Sequence, residues 1–235
     1  MLIELYRHGA TAGNARGCYI GRTDEPLSDA GRAQLQCADP SLGVVYVTPL
    51  LRTQQTAAIL FPHAHQTIVA GLHEMDFGAF EGKNYEDMAN DAAYRSWVAS
   101  DCTDPIPGGE QRSAFAARVV DAFRPLVDSA LEEGRTRLVL VVHGGTIMSI
   151  LDSLARPHRG YFEWKTGSGA HWTLRTDEHL WEEGALIVVE DAADHVDGGI
   201  VRPTDLDRDG RATRSGADEV PGDKTGTLLD EEGVR

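Results

Sequence analysis

The chain has 235 residues, 41% of them hydrophobic, and a formal net charge of −15 at pH 7. That length suits one domain of ordinary size with something left over, and no segment approaches the ~20 consecutive apolar residues of a membrane span. The acidic balance argues against nucleic acid or an anionic membrane as partner; an anionic small molecule can still bind where cations are concentrated locally.

The first apolar run, LIELY at 2–6, reads as a buried strand. It meets Arg7 and His8 too early for a secretion signal, and Gly9, Thr11, Gly13 and Asn14 follow at once. Two cation-capable side chains and a glycine do not build a core, so this strand end reads as the edge of a site. Cys18, Cys37 and Cys102 are odd in number and lack metal-ligand spacing, which points to a reducing cytoplasm.

A second strand is predicted over VVYVTP at 44–49, and helical spacing begins in LLRTQQTAAIL at 50–60, with Arg52 in its first turn. His63 and His65 follow Pro62 in a predicted surface loop with no acidic or cysteine ligand nearby, so no metal is expected there. LHEMDFGAFEG at 72–82 carries two glutamates. Glu74 lies among Leu72, Met75, Phe77 and Phe80, while Glu81, before Gly82 and Lys83, reads as a turn or cap. His73 either orients the neighbouring acid or is exposed. Residues 84–110 read as a modest lid, and SAFAARVVDAF at 113–123 as a helix.

RLVLVV at 137–142 is a third strand, followed by His143, Gly144, Gly145 and a helical pattern in IMSILDSLA. HWTL at 171–174 and ALIVV at 185–189 complete the strands. Strands alternating with helices predict an α/β sheet covered on both faces. Arg7 with His8, Arg52 and His143 then all fall at strand-to-helix junctions, which converge at the carboxyl ends of the strands. Such a group repels itself unless an anion sits among it. Phosphate suits that role, because helix N-termini and bidentate arginine forks both favour it.

Residues 192–235 differ in character, with 11 Asp/Glu against 6 Lys/Arg, seven glycines and no aromatic residue. By subtraction they carry −5 and residues 1–191 carry −10. Such a composition cannot bury enough apolar surface to offset its ordering entropy, so a disordered tail after residue 191 is expected. Within it, DLDRDG at 205–210 begins like a calcium loop, but the twelfth position is Gly216 instead of a bidentate glutamate.

The strand with RHG, then LRTQQTA, LHEMDFGAFEG and VVHGG, in this order over residues 1–190, resembles the histidine phosphatase superfamily, the phosphoglycerate mutase-like enzymes. The resemblance implies a three-layer α/β/α sandwich with a mostly parallel sheet and a phosphohistidine mechanism without metal or cofactor. It implies His8 as nucleophile, and Arg7, Arg52 and His143 as holders of the phosphoryl oxygens. Asn14 matches a phosphate-touching position and Glu74 the proton donor, with Gly21 and Gly144 expected in the substrate-binding shell. Phosphoglycerate mutases carry E-R-H-Y-G where this chain has Glu74-Met75-Asp76-Phe77-Gly78, and a longer insertion after the acid. GCYIGRTDEPLSDAG at 17–31 and FEWKTGSGAHWTL at 162–174 look most like α-ribazole phosphatases of cobalamin synthesis. A broad-specificity phosphatase, a mutase-type phosphotransferase and a phosphate-binding module without turnover are the alternatives. Tyr85, Tyr94 and Trp97, with Met75 and Phe77, are expected either to stack on a flat heterocycle or to close the lid's own small core.

Overall fold

The computed structural model describes residues 1–190; the predicted tail and the calcium-like stretch lie outside them. Seven strands form one sheet: β1 (Leu2–Arg7), β2 (Val44–Val47), β3 (His65–Ile68), β4 (Arg137–Val142), β5 (Ala155–Arg156), β6 (His171–Arg175) and β7 (Leu186–Glu190). Their order is β3-β2-β4-β1-β6-β7-β5. Neighbours are parallel except that β6 is antiparallel to both β1 and β7, so among the described residues β6 alone runs against the rest. The helices are α1 (Ala12–Ala15), α2 (Asp29–Gln34), α3 (Leu51–Leu60), α4 (Ala92–Ala99), α5 (Arg112–Glu132), α6 (Gly144–Leu154) and α7 (Glu178–Glu182).

The period-2 alternation of the central strands divides their side chains between two cores. Ile3, Leu5, Leu138, Leu140 and Val142 face one side, where Phe115, Val119, Phe123 and Val127 of α5 join them. Tyr6, Val139 and Val141 face the other, against Ala57 and Leu60 of α3 and the adjoining Phe61. A sheet buried on both faces gives the three-layer sandwich that the sequence predicts. The outcome for α5 is longer than the predicted 113–123. It runs through Pro125, which sits on the exposed face, where the carbonyl deprived of its partner can turn to water.

Two local expectations need correction. His65 is not in a loop but opens β3, a polar edge strand paired parallel to β2. The strand predicted over 44–49 stops at Val47, and Thr48 turns away to bond with site residues instead. In the segment 84–110, Asp91 caps α4 by accepting from the N–H groups of Ala93 and Tyr94. Tyr94 and Trp97 are buried, with Trp97 5.5 Å from both the Tyr19 and Phe80 rings. The Tyr94 and Tyr19 hydroxyls lie 3.0 Å apart. Of the two roles expected for these rings, they take the second and close a small core.

Candidate active site

β2, β4 and β1 are neighbours, and the residues that follow their carboxyl ends meet at one edge of the sheet. His8 directly follows β1. Its Nδ1 lies 2.7 Å from the Gly9 carbonyl oxygen. A carbonyl only accepts, so Nδ1 carries the proton and Nε2 keeps its lone pair. Burial, then Arg52 and Arg7, hold the His8 pKa well below the usual 6.5. His8 is therefore neutral at neutral pH, with a nucleophilic nitrogen already in the required tautomer.

Arg52 is fully buried at the start of α3. Its Nη2 donates to the Gly21 carbonyl at 2.8 Å and its Nη1 to the Thr23 carbonyl at 2.8 Å, while Nε donates to His143 Nδ1 at 3.2 Å. Because Nδ1 of His143 accepts, its Nε2 is the protonated nitrogen and donates to Thr48 Oγ1 at 3.0 Å. The His143 ring lies 5.2 Å from that of His8, edge to face, and burial holds its pKa well below 6.5. Arg7 donates from Nη1 to the Thr166 carbonyl at 2.7 Å. Arg52 thus stands behind the histidines and Arg7 at the pocket wall.

Glu74 comes from the loop after β3 and is 8% exposed. Its Oε1 accepts from the Met75 N–H at 2.9 Å and its Oε2 from the Gly145 N–H at 3.0 Å. Those bonds favour the carboxylate, as do Arg52 and Arg7, but burial outweighs them and raises the pKa above the usual carboxyl value. The Gly145 N–H belongs to the first turn of α6, so this helix N-terminus also faces the site.

A pocket of about 640 Å³ is lined by Arg7, His8, Asn14, Glu74 and Gly144, five of the eight residues singled out from the sequence. Asn14 Oδ1 is held by the Thr11 N–H in the capping box of α1, which leaves the amide NH₂ as the group to meet an anion. Arg52 and His143 form the layer beneath the pocket. Gly21 is outside its lining. A Cβ there would lie 1.8 Å from the Met75 carbonyl oxygen, so its glycine serves chain packing. His73 donates from Nδ1 to the Glu74 backbone carbonyl at 2.7 Å and so fixes the acid's main chain. Glu81 does not line the pocket either.

Several site residues escaped the sequence reading. Thr48 and Thr166 anchor His143 and Arg7, and Lys165, Met148 and Phe162 line the pocket. Gly145 is the most telling, since a Cβ on it would meet Glu74 Oε1 at 2.3 Å. The doubled glycine after His143 was the available signal. A second chamber of about 320 Å³ adjoins Glu74, walled by Met75, Phe77, Trp97, Phe115 and Phe162. Among the described residues no group of three or more His, Cys, Asp or Glu could hold a metal ion, and no helix is long and apolar enough to cross a membrane.

A neutral histidine nitrogen, buried cations and a carboxyl of raised pKa around one pocket suit phosphoryl transfer through a histidine. Known proteins agree. The chain is 26% identical over 158 residues to the putative phosphoserine phosphatase 2 of Hydrogenobacter thermophilus, covering 63% of this chain and 76% of that one. It is 30% identical over 166 residues to the 2,3-bisphosphoglycerate-dependent phosphoglycerate mutase 2 of Gloeobacter violaceus, covering 65% and 75%. The structure of a putative α-ribazole-5′-P phosphatase from Escherichia coli superposes with a TM-score of 0.66 at 25% identity, covering 83% of this chain and 98% of that one. The family model of the histidine phosphatase superfamily (branch 1) matches residues 3–184, and the chain is a phosphatase-type member of that superfamily.

Proposed function

We propose that the protein hydrolyses a phosphomonoester through a phosphorylated His8. The observation that carries this reading is the fixed tautomer of His8, whose Nε2 lone pair shares a pocket with the Glu74 carboxyl. In the first step Nε2 attacks phosphorus and the bond to the ester oxygen breaks. Glu74, protonated, gives its proton to that departing oxygen. Arg7 and Arg52, the NH₂ of Asn14 and the N-terminus of α6 balance the charge on the phosphoryl oxygens, with His143 aligned by Arg52. In the second step the Glu74 carboxylate takes a proton from water, the water oxygen bonds to phosphorus and the N–P bond breaks. His8 leaves neutral and Glu74 is protonated again.

For the substrate we favour α-ribazole 5′-phosphate. Likeness to the α-ribazole-5′-P phosphatase structure supports it, as do the apolar Tyr19, Phe77, Met148 and Phe162 around the pocket and the apolar chamber beyond Glu74. The rings of Tyr19, Phe77 and Phe162, which line the pocket, rather than Tyr94, which does not, would meet a flat heterocycle. Phosphoglycerate would bring a carboxylate and nothing to stack.

The phosphoenzyme should be stable in alkali, labile in acid, and map to His8 by mass spectrometry; phosphate on another residue would overturn the mechanism. One stacking contact is worth about 1–3 kcal/mol, so kcat/KM for α-ribazole 5′-phosphate should exceed that for 3-phosphoglycerate by roughly tenfold to a hundredfold. Equal values would leave a general phosphatase. The likeness to a phosphoglycerate mutase favours the second reading, which transfer of the His8 phosphoryl to 3-phosphoglycerate instead of water would establish.

A further inference from the structure

Arg52 can aim at a phosphoryl group only if the loop that receives its guanidinium is itself fixed. That loop, residues 20–23, offers three carbonyls: Ile20 at 3.4 Å and Gly21 at 2.8 Å from Nη2, and Thr23 at 2.8 Å from Nη1. On the other side of the same loop, one carboxylate oxygen, Glu81 Oε1, accepts from the Gly21 N–H at 2.8 Å and the Thr23 N–H at 2.9 Å. The peptide unit joining Ile20 to Gly21 is therefore held at both ends. Its N–H points to the Glu81 carboxylate and its C=O to the Arg52 guanidinium, an alignment in which each charge strengthens the other's hydrogen bond.

Apart from Arg52 itself, the other described side-chain ties of this loop are weaker or lie at its end. The Arg22–Asp76 ion pair is at the surface, with the Arg22 side chain 72% exposed, and a pair of that kind contributes little. The Asp24 carboxylate accepts from the Leu51 N–H, which ties the far end of the loop to the start of α3. A Cβ on Gly21 would lie 1.8 Å from the Met75 carbonyl oxygen, so the loop packs closely on the chain at Met75. Glu81 supplies the remaining restraint.

We propose that Glu81 is a positioning residue for the phosphate pocket: it fixes loop 20–23, the loop fixes Arg52, and Arg52 through Nε fixes the ring of His143. This separates the two glutamates of the 72–82 segment, with Glu74 in the pocket and Glu81 outside it. The inference rests on the reading of Arg52 as a phosphate ligand.

The test is the binding of inorganic phosphate to the full chain by calorimetry, which needs no turnover. Glu81→Ala should weaken phosphate by about tenfold, comparable to one charge-assisted hydrogen bond. Glu81→Gln keeps an oxygen that accepts both N–H groups and should recover binding to within about threefold of the parent. In an Arg52→Lys background, Glu81→Ala should cost less than about twofold more, because residues acting through one another are not additive. Glu81→Met fills the same space without an acceptor; it should match Glu81→Ala and serves in its place if the alanine variant unfolds. Parent-like phosphate binding in both variants overturns the proposal, as does a loss equally large in the Arg52→Lys background or a glutamine variant no better than alanine. If Arg52→Lys itself leaves phosphate binding unchanged, the reading of Arg52 has failed, whatever Glu81 does.

Discussion

At the scale of single residues, the site rests on two groups pushed in opposite directions by the same burial. His8 is kept neutral because its charged form would be desolvated beside Arg52 and Arg7. Glu74 is kept protonated to higher pH because its charged form is desolvated too. The dependence of kcat/KM on pH should therefore be a bell, with an acid limb below about 6.5 from His8 and an alkaline limb above about 4.5 from Glu74. Glu74→Gln cannot donate the proton and should lower kcat on alkyl phosphates by about 10²–10⁴. Formation of the phosphoenzyme from p-nitrophenyl phosphate should fall much less, since that leaving group needs no proton. An equal loss on both substrates would remove Glu74 from the acid role. The same shifts set stability. A histidine with a depressed folded pKa takes up protons more readily when unfolded, so its contribution is complete above about 6.5 and lost as pH falls. His8 and His143 both behave this way, and Glu74 alone opposes them. The melting temperature should fall between about pH 7.5 and 5.5; a rise would show that the buried histidines are charged.

At the scale of elements, the first turn of α6 sets the position of the acid. A methyl on Gly145 would lie 2.3 Å from Glu74 Oε1, the movable end of a side chain, whereas one on Gly144 would meet Arg7 Nε at 3.4 Å, an ordinary contact. Gly145→Ala should therefore lower kcat nearly as far as Glu74→Gln with little change in melting temperature, while Gly144→Ala should keep most activity. Similar kinetics for the two variants would contradict this geometry. What was legible in the sequence follows the same logic. The central strands β1, β4 and β6 announce themselves because both their faces are buried, leaving apolar runs such as RLVLVV. β3 does not, since HQTI lies at the sheet edge with neither face buried, and β5 is only two residues long. The residues at strand ends were legible because Arg, His and Gly have no place in a core. Thr48 and Thr166 were not, because they act through a hydroxyl and a main-chain carbonyl that any sequence could offer. The resting geometry of Arg52, turned to three carbonyls, depends on a loop path that no local pattern encodes.

At the scale of the whole molecule, a chain of net charge −15 collects a doubly charged anion, so its field and its site oppose each other. The opposition is resolved locally. Arg7 adjoins His8 in the chain and Arg52 is bonded to the neighbouring His143, while the acidic surplus is spread over the surface, where about 10 Å of 0.1 M salt solution already screens it. One third of that surplus, −5 of −15, falls in residues 192–235. Within the described residues, β7 already pairs with β6 along one side, as far as Glu190, and with β5 along the other. We therefore expect a chain ended after Asp191 to keep its melting temperature and, at physiological salt, kcat and KM within about twofold of the full chain. At low ionic strength the shortened chain should show the larger kcat/KM, because fewer negative charges repel the incoming phosphomonoester, and the gain should vanish above about 0.15 M salt. A lower melting temperature would mean that the acidic segment packs on the body. A rate difference that persists at high salt would mean that the segment touches the site directly, and in that case the site would not be confined to residues 1–190.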